Sequence, residues 1–159
     1  MGFSTVAAQA IFFIVVILAA VSLSAVFISY MDATTAATGL RSRTLIKQMS
    51  TDIVVTDVVA NATNFTVSLR NVGDTILVPN LTDVFISGAY VSRSNRTVYV
   101  EASTDTRNSG LWDPYERLII KGWTLGNHRL TVGQTYEMKV EEEHGISATY
   151  EFVPSDGPI

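Results

Sequence analysis

Length, composition and charge set the first limits on this protein. The chain has 159 residues, which allows one ordinary domain and one accessory segment. Apolar residues make up 47% of it and charged residues only 16%, so part of the chain is predicted to lie outside water. A net charge of −4 argues against nucleic-acid binding. The absence of cysteine excludes disulfides, thiol catalysis and cysteine-ligated metals, and two histidines leave little material for other metal sites.

The first charged side chain is Asp32, so residues 2–31 form a long uncharged run. A membrane-spanning helix needs about 20 apolar residues. A secretory signal would have a basic start and a shorter apolar centre, and the rest of the chain is too small to enclose such a helix. The run therefore predicts a retained transmembrane helix that continues towards Met49. Its apolar centre consists of Ile11, Phe12, Phe13, Ile14, Val15, Val16, Ile17 and Leu18.

Small residues recur four positions apart in the second half of this run. They are Ala20 with Ser24, and Ala25 with Ser29. Such spacing allows helices to approach closely in lipid. The pairs are therefore predicted helix–helix contacts, compatible with a homo-oligomer (a dimer or a filament). The alternative is that small residues are merely tolerated there.

Two features of the sequence disagree about membrane orientation. Arg41, Arg43 and Lys47 follow the apolar run, and basic residues normally stay on the cytoplasmic side. Four N-glycosylation sequons instead indicate an exported surface. We predict a single-pass protein of the cell membrane with its C-terminal domain outside. The candidate glycosylation sites are Asn61, Asn64, Asn80 and Asn95.

Short alternating runs after residue 52 predict an all-β domain. Strands are predicted at 52–59, 65–69, 75–78, 83–87, 97–102 and 116–121, and a final hairpin at 136–140 and 146–152. Seven or eight strands in this length suit an immunoglobulin-like β-sandwich. The predicted organisation is a transmembrane helix at 1–31, a helical stalk at 32–51, the sandwich at 52–153 and a loose tail at 154–159. The fold class is thus mainly β, preceded by one long hydrophobic α-helix.

No motif in the sequence indicates catalysis. Neither a zinc-protease helix, a nucleophile elbow nor a phosphate-binding glycine loop is present. His128 and His144 fall in predicted loops or turns and are expected to be solvated. Glu141, Glu142 and Glu143 are consecutive, a poor arrangement for a chelate, and are predicted to form a solvated edge that blocks aggregation. We predict no catalytic, cofactor or metal residues, and a protein that is not an enzyme.

Two aromatic residues flank a proline in the middle of the β domain. Trp112 and Tyr115 are candidate partner contacts, because exposed aromatic side chains often anchor interfaces. The alternative, that they belong to the core, is the commoner situation. Trp123, Tyr90 and Tyr99 carry the same ambiguity.

Several segments, taken in order, resemble a known family. They are residues 1–8 (MGFSTVAA), 65–74 (FTVSLRNVGD), 83–88 (DVFISG), 112–116 (WDPYE) and 143–152 (EHGISATYEF). This order of an apolar amino end, a strand, an Asn-x-Gly turn and further strands resembles the archaeal flagellar (archaellum) accessory proteins FlaF and FlaG. The amino end is more similar to the FlaF type.

The resemblance implies a membrane-anchored β-sandwich that stands between the membrane and the surface layer as a static, stator-like part of the motor base. It implies the surface-layer protein and other archaellum accessory proteins as partners. In this family the FlaF type binds the surface-layer lattice and forms dimers, whereas the FlaG type assembles into a short filament that FlaF caps.

Two alternatives stay open. A filament-forming subunit, either of the FlaG type or similar to archaellin, has the same helix-plus-sandwich plan and would pack its helices into a bundle. Archaellins carry a basic leader that is cleaved before the helix, and only Met1 precedes Gly2 here, which favours an unprocessed protein. The second alternative is a membrane-tethered envelope domain for a sugar or protein, with a concave aromatic patch near Trp112 and Tyr115.

Overall fold

The computed structural model describes residues 2–124 and 129–157. The chain divides into two compact units, Met1–Arg43 and Thr44–Ile159. One helix, α1 (Gly2–Ser50), supplies the first unit and the opening residues of the second. The predicted helix towards Met49 is therefore confirmed, and the predicted stalk is a continuation of the same helix.

The composition of α1 explains its length. Between Gly2 and Ser50 there is no proline, and Gly39 is the only other glycine. Several hydroxyl side chains bond back to the carbonyl four residues earlier, as Ser22 does to Leu18 at 2.8 Å and Thr34 to Tyr30 at 2.8 Å. This local bonding satisfies polar groups that would be costly in an apolar environment.

The second unit contains two antiparallel four-stranded sheets that form a β-sandwich, as the sequence predicts. The strands are β1 (Ile53–Ala60), β2 (Asn64–Asn71), β3 (Asp83–Ile86), β4 (Ala89–Val91), β5 (Arg96–Val100), β6 (Arg117–Trp123), β7 (Tyr136–Glu141) and β8 (Ser147–Phe152). The sheet orders are β1-β2-β6-β5 and β4-β3-β7-β8.

A β-bulge in β1 decides which of its side chains enter the core. Val55 pairs with Leu69, but Asp57 pairs with Ser68, so Thr56 has no partner in the register. Simple alternation from Val55 would turn Asp57 inwards. Because the extra residue shifts the alternation, Asp57 stays exposed and Val58 packs against the core.

Three expectations about the β domain need correction. Residues 75–78 do not form a strand, because Leu77 makes only an isolated bridge with Trp112. The short strand β4 was not predicted, since three residues give too little alternation to recognise. The tail is held at its beginning rather than loose: Pro154 is buried, and the Ser155 N–H donates to the Ala60 carbonyl at 2.9 Å.

The core fills the space between the sheets and includes the fully buried amide of Asn71. The Asn71 Nδ2 donates to the carbonyls of Thr75 (2.8 Å) and Trp112 (3.1 Å), and its Oδ1 accepts the Gly73 N–H at 3.1 Å. This satisfied amide fixes the turn after β2. The largest fully buried apolar side chains are Trp112, Phe65, Leu69, Leu77, Leu118, Ile120 and Met138.

Candidate membrane-spanning and partner-contact surfaces

The apolar part of α1 exposes side chains around its whole circumference. The eight consecutive residues from Ile11 to Leu18 are between 46% and 71% exposed. Successive residues of a helix point in directions about 100° apart, so no face is left polar. Among the described residues, α1 is the one helix long and apolar enough to cross a membrane, a statement about its length and composition.

The predicted small-residue contacts lie in this exposed stretch. Helical spacing places Ala20 with Ser24, and Ala25 with Ser29, on common faces. The Ser24 Oγ donates to the Ala20 carbonyl at 2.8 Å. Because that hydroxyl is already satisfied, the face of Ala20 and Ser24 presents small groups without an unpaired polar atom. Contact with a second helix at these positions stays a prediction.

One of the three basic residues near the end of α1 lies where it stabilises the helix, which weakens its use as an orientation signal. Arg41, Arg43 and Lys47 are all exposed, and Lys47 lies in the last turn. A cation there interacts favourably with the partial negative charge of the helix C-terminus. Helix stability alone therefore accounts for a basic residue at this end.

The last turn of α1 is bonded to the β domain within the second unit. The Ser50 carbonyl accepts the Asp74 N–H at 2.8 Å, and the Ser50 and Thr75 hydroxyls lie 3.2 Å apart. The Gln48 Nε2 donates to the His144 carbonyl at 3.0 Å. This junction joins the end of the helix to the turn after β2 and to the β7–β8 hairpin.

Glu142 and His144, which were both predicted to be solvated, are largely buried in the β7–β8 turn. The Glu142 side chain is only 1% exposed and that of His144 13%, and the Glu142 carboxylate lies 2.9 Å from the His144 Nδ1. The same carboxylate accepts the N–H groups of His144 at 2.7 Å and Ile146 at 2.8 Å. Glu142 is thus buried to satisfy the turn, a role that the spacing of three glutamates does not reveal.

The neighbouring glutamates are less buried and have separate partners. The Glu141 carboxylate lies 2.8 Å from the Lys139 Nζ. The Glu143 Oε1 accepts the Val78 N–H at 3.0 Å. The prediction of an exposed acidic edge therefore holds for Glu143 but not for Glu142. His128 lies outside the described residues.

The structure separates the two predicted aromatic contacts. Trp112 is 0% exposed and its Nε1 donates to the Glu116 carbonyl at 2.9 Å, so it is a core residue and the prediction of a partner contact is wrong for it. Tyr115 is 64% exposed and has a φ of 71°. The Arg70 Cζ lies over its ring, 6.0 Å from the ring centroid. Tyr115 thus stays a candidate contact.

Two buried carboxylates organise the loop that ends at Tyr115. The Glu116 Oε1 accepts the Thr106 N–H and its Oε2 accepts the Asp113 N–H, both at 3.0 Å. The Asp113 Oδ2 accepts the Asn108 N–H at 3.0 Å. The Asp113 Oδ1 accepts the Asn108 Nδ2 at 2.9 Å, so all four carboxylate oxygens have donors. Within residues 2–124 and 129–157 no group of three acidic or histidine side chains is arranged to hold a metal ion.

The four sequon asparagines lie in different environments. Asn64 and Asn80 are exposed, whereas Asn61 and Asn95 are half-buried. The Asn61 Oδ1 accepts the N–H groups of Thr63 at 3.0 Å and Asn64 at 2.8 Å. A glycan on Asn61 would disturb this turn, so the exposed Asn64 and Asn80 are better candidates for modification than Asn61.

Comparison with solved structures finds similar folds in archaeal flagellar proteins. The flagellum of Methanospirillum hungatei strain JF1 is similar over 91% of this chain and 92% of that chain, with 15% identity and a TM-score of 0.54. The periplasmic stator protein FlaG of Sulfolobus acidocaldarius is similar over 64% of this chain and 99% of that chain, with 18% identity and a TM-score of 0.49.

The FlaF and FlaG stator complex from Sulfolobus acidocaldarius gives 17% identity and a TM-score of 0.49, over 63% of this chain and 87% of that chain. A comparison with curated proteins found no match. Residues 2–152 match the archaeal-type flagellin family, a span that includes α1 and all eight strands. The chain therefore belongs to the archaeal-type flagellin family.

Proposed function

We propose that this archaellum protein is a non-enzymatic structural component that anchors the motor base between the membrane and the surface layer as a static element. The observation that carries the proposal is the combination of two parts in one chain. The uncharged part of α1 exposes apolar side chains on every face, and the last turn of the same helix is hydrogen-bonded to a β-sandwich.

The helix requires an apolar environment. Removal of apolar surface from water contributes about 25 cal/mol per Å². The large apolar side chains from Val6 to Met31 are 46–73% exposed, and lipid would cover them. A run of 30 residues spans about 45 Å, more than the ~30 Å hydrocarbon core. Extraction would expose all of this surface at once, which suits an anchor.

The junction of α1 with the β domain suits the transmission of force. A load on the sandwich reaches residues 48–50 through several bonds that act in parallel, from the β7–β8 turn to Gln48 and from the turn after β2 to Ser50. Parallel bonds must break together. A single flexible linker would instead extend under the same load.

The partners follow from the resemblance of the sequence to the archaellum accessory proteins. We propose the surface-layer protein and other archaellum accessory proteins as partners, with the β domain outside the cell. The sequons support this orientation, and exposed Tyr115 is the side chain we assign to a partner contact.

A filament-forming subunit is the second candidate. The similarity to the Methanospirillum hungatei flagellum extends over helix and sandwich alike, which favours a common architectural plan. In such a filament the helices would pack against one another with the faces of Ala20 and Ser24 in contact.

Co-sedimentation of the full-length chain, held in detergent micelles, with isolated surface-layer sheets tests the anchor. Specific binding is expected, and Tyr115→Ala is expected to weaken it. Tyr150→Ala is the matched control, because Tyr150 is also exposed but lies on β8. Failure of the wild type to bind, together with fibres of regular repeat under the electron microscope, would favour the filament subunit instead.

A reporter enzyme attached after Phe152 tests orientation. Activity confined to the cell exterior is expected, with glycans on Asn64 and Asn80 in protein purified from its own host. Cytoplasmic reporter activity would contradict the anchor, since its β domain must reach the surface layer.

A further inference from the structure

A cavity of about 380 Å³ opens at one end of the sandwich. Its walls come from the β3–β4 hairpin of one sheet, from the end of β6 in the other, and from the segment before β7. Small-molecule sites in proteins measure roughly 300–1,000 Å³. The cavity lies apart from Trp112 and Tyr115, neither of which lines it.

Aromatic side chains form much of its apolar surface. Tyr90 is 50% exposed, Trp123 is 38% exposed and Tyr136 is half-buried, and all three line the cavity with Ile86 and Leu130. Exposed aromatic rings beside a cavity provide flat apolar faces on which a ring-shaped ligand can stack.

Polar groups with free bonding capacity lie beside these rings. Within the part of the chain that the structure describes, the Trp123 indole N–H and the Arg129 guanidinium make no hydrogen bond or ion pair. The Asn95 Oδ1 accepts a long bond of 3.4 Å from Ser94, and its Nδ2 has no partner among the same residues. Donors are thus available to a ligand at the edge of the aromatic surface.

The apolar and polar groups that line the cavity restrict the chemical class of ligand that it can bind. No described lining residue carries a carboxylate, the side chain that usually supplies the charge in a calcium or magnesium site, which argues against a metal ion here. An acyl chain would leave Asn95 and Trp123 unpaired. The phosphates of a nucleotide would have only Arg129 as a cation. A sugar ring presents an apolar C–H face and a rim of hydroxyl groups, which match the two kinds of surface.

We propose that this cavity binds a saccharide, with a ring stacked on Trp123 and its hydroxyl groups bonded to Asn95. Arg129 adds a preference for an acidic sugar, because a guanidinium pairs with a carboxylate. The inference does not depend on the anchoring role, since the cavity lies in the β domain whatever the helix contacts.

The sugar can have two sources with the same chemistry. It can belong to a glycan of another envelope molecule. It can also belong to a glycan on this chain, because Asn95 lines the cavity and begins the sequon that Thr97 completes. The experiment below separates these sources.

Saturation-transfer NMR on the full-length chain tests the proposal. The protein is made in a host without N-glycosylation and held in dodecylphosphocholine, because glycoside detergents would compete. Glucose, N-acetylglucosamine, glucuronate and galacturonate are the probes. Saturation transfer to ring protons is expected, and the uronates are expected to bind more tightly than glucose.

Cavity variants locate the binding. Trp123→Ala is expected to weaken binding about tenfold, the equivalent of one stacked ring. Arg129→Ala is expected to remove the preference for uronates. Tyr99→Ala and Lys121→Ala are the matched controls, because these exposed residues lie outside the cavity. Absence of transfer from all four sugars, or equal transfer in wild type and Trp123→Ala, would overturn the proposal.

Thr97→Ala distinguishes the sources, because it removes the sequon and leaves Asn95 in the wall. If the chain's own glycan fills the cavity, protein from its natural host carries a glycan on Asn95 and binds free glucuronate only after Thr97→Ala. If the sugar comes from another molecule, the natural protein binds glucuronate directly. Lack of binding by the Thr97→Ala protein contradicts both versions.

Discussion

The Gln48 side chain, in the last turn of α1, donates a 3.0 Å hydrogen bond to the backbone carbonyl of His144 in the β7–β8 turn. These residues are 96 positions apart in the chain. The bond joins the end of the helix to the final hairpin, whose geometry the buried Glu142 carboxylate maintains. The strength of this junction is therefore set partly by a turn at the far end of the sequence.

Glu142→Ala is expected to destabilise the β domain by about 3 kcal/mol, because it leaves the N–H groups of His144 and Ile146 without their acceptor. Urea unfolding of the full-length chain in micelles, followed by tryptophan fluorescence, measures the loss. Glu143→Ala is the control and is expected to cost less than about 1 kcal/mol, since Glu143 is exposed. Equal losses would show that the buried carboxylate has no special role.

Gly73→Ala is expected to disrupt the junction of α1 with the sandwich. A Cβ at this position would collide with the backbone N of Asp52 and lie 2.6 Å from the Ser50 carbonyl oxygen. Backbone atoms cannot rotate away, so we expect a cost of about 3 kcal/mol. Thermal unfolding by near-ultraviolet circular dichroism measures it.

Gly39→Ala is the matched control for that substitution, because a Cβ there meets no heavy atom within 4 Å. It makes the same replacement inside α1 and is expected to leave the unfolding temperature of the sandwich unchanged. A similar decrease of the unfolding temperature in both variants would show that the collision at Gly73 does not cause the loss.

Gly122→Ala is expected to destabilise the sandwich by about 2 kcal/mol. Gly122 pairs with Phe65 across β2 and β6, and a Cβ would lie 2.7 Å from the Phe65 Cε1. Phe65→Leu removes the ring and should recover part of the loss in the double variant. A double-mutant cycle from urea unfolding measures this coupling, and strictly additive losses would contradict a direct collision.

Asp83→Asn is expected to cost more stability than Arg96→Met. The Arg96 side chain is 1% exposed and lies 3.1 Å from the Asp83 carboxylate, which is 35% exposed. Loss of Asp83 leaves a buried cation poorly compensated, at a cost of about 3 kcal/mol, whereas loss of Arg96 leaves a carboxylate that water and Arg93 still solvate. Urea unfolding of both variants gives the order, and the reverse order would contradict the argument.

Burial also lowers the pKa of the Arg96 guanidinium below its ordinary value, because desolvation disfavours the charged form. A base whose pKa is lower in the folded state gains stability only as the pH rises through the interval between its folded and unfolded pKa values. That interval lies on the alkaline side. The stability difference between wild type and Arg96→Met is therefore expected to stay constant between neutral and mildly alkaline pH, as measured by urea unfolding at each pH.

The sequence by itself determined the long helix and most of the strands. An uncharged run of apolar residues without proline has few alternatives to a helix exposed to lipid or to other helices. Alternation of apolar and polar residues likewise predicted β2, β7 and β8. These features are local, since each depends on residues that are near one another in the chain.

The tertiary structure decided the features that depend on distant partners. Trp112 is buried because it pairs with Leu77 and bonds to Glu116, and nothing in the spacing of its neighbours distinguishes that from an exposed anchor. The pattern of residues 75–78 predicts a strand, but in the structure these residues do not pair with either sheet. The sequence gives no reason to expect different burial for three consecutive glutamates. Glu142 is nevertheless buried, because its carboxylate accepts the N–H groups of the β7–β8 turn. Burial of a polar or aromatic side chain is set by which backbone groups the fold brings to it, and those groups are specified only when the sheets have assembled.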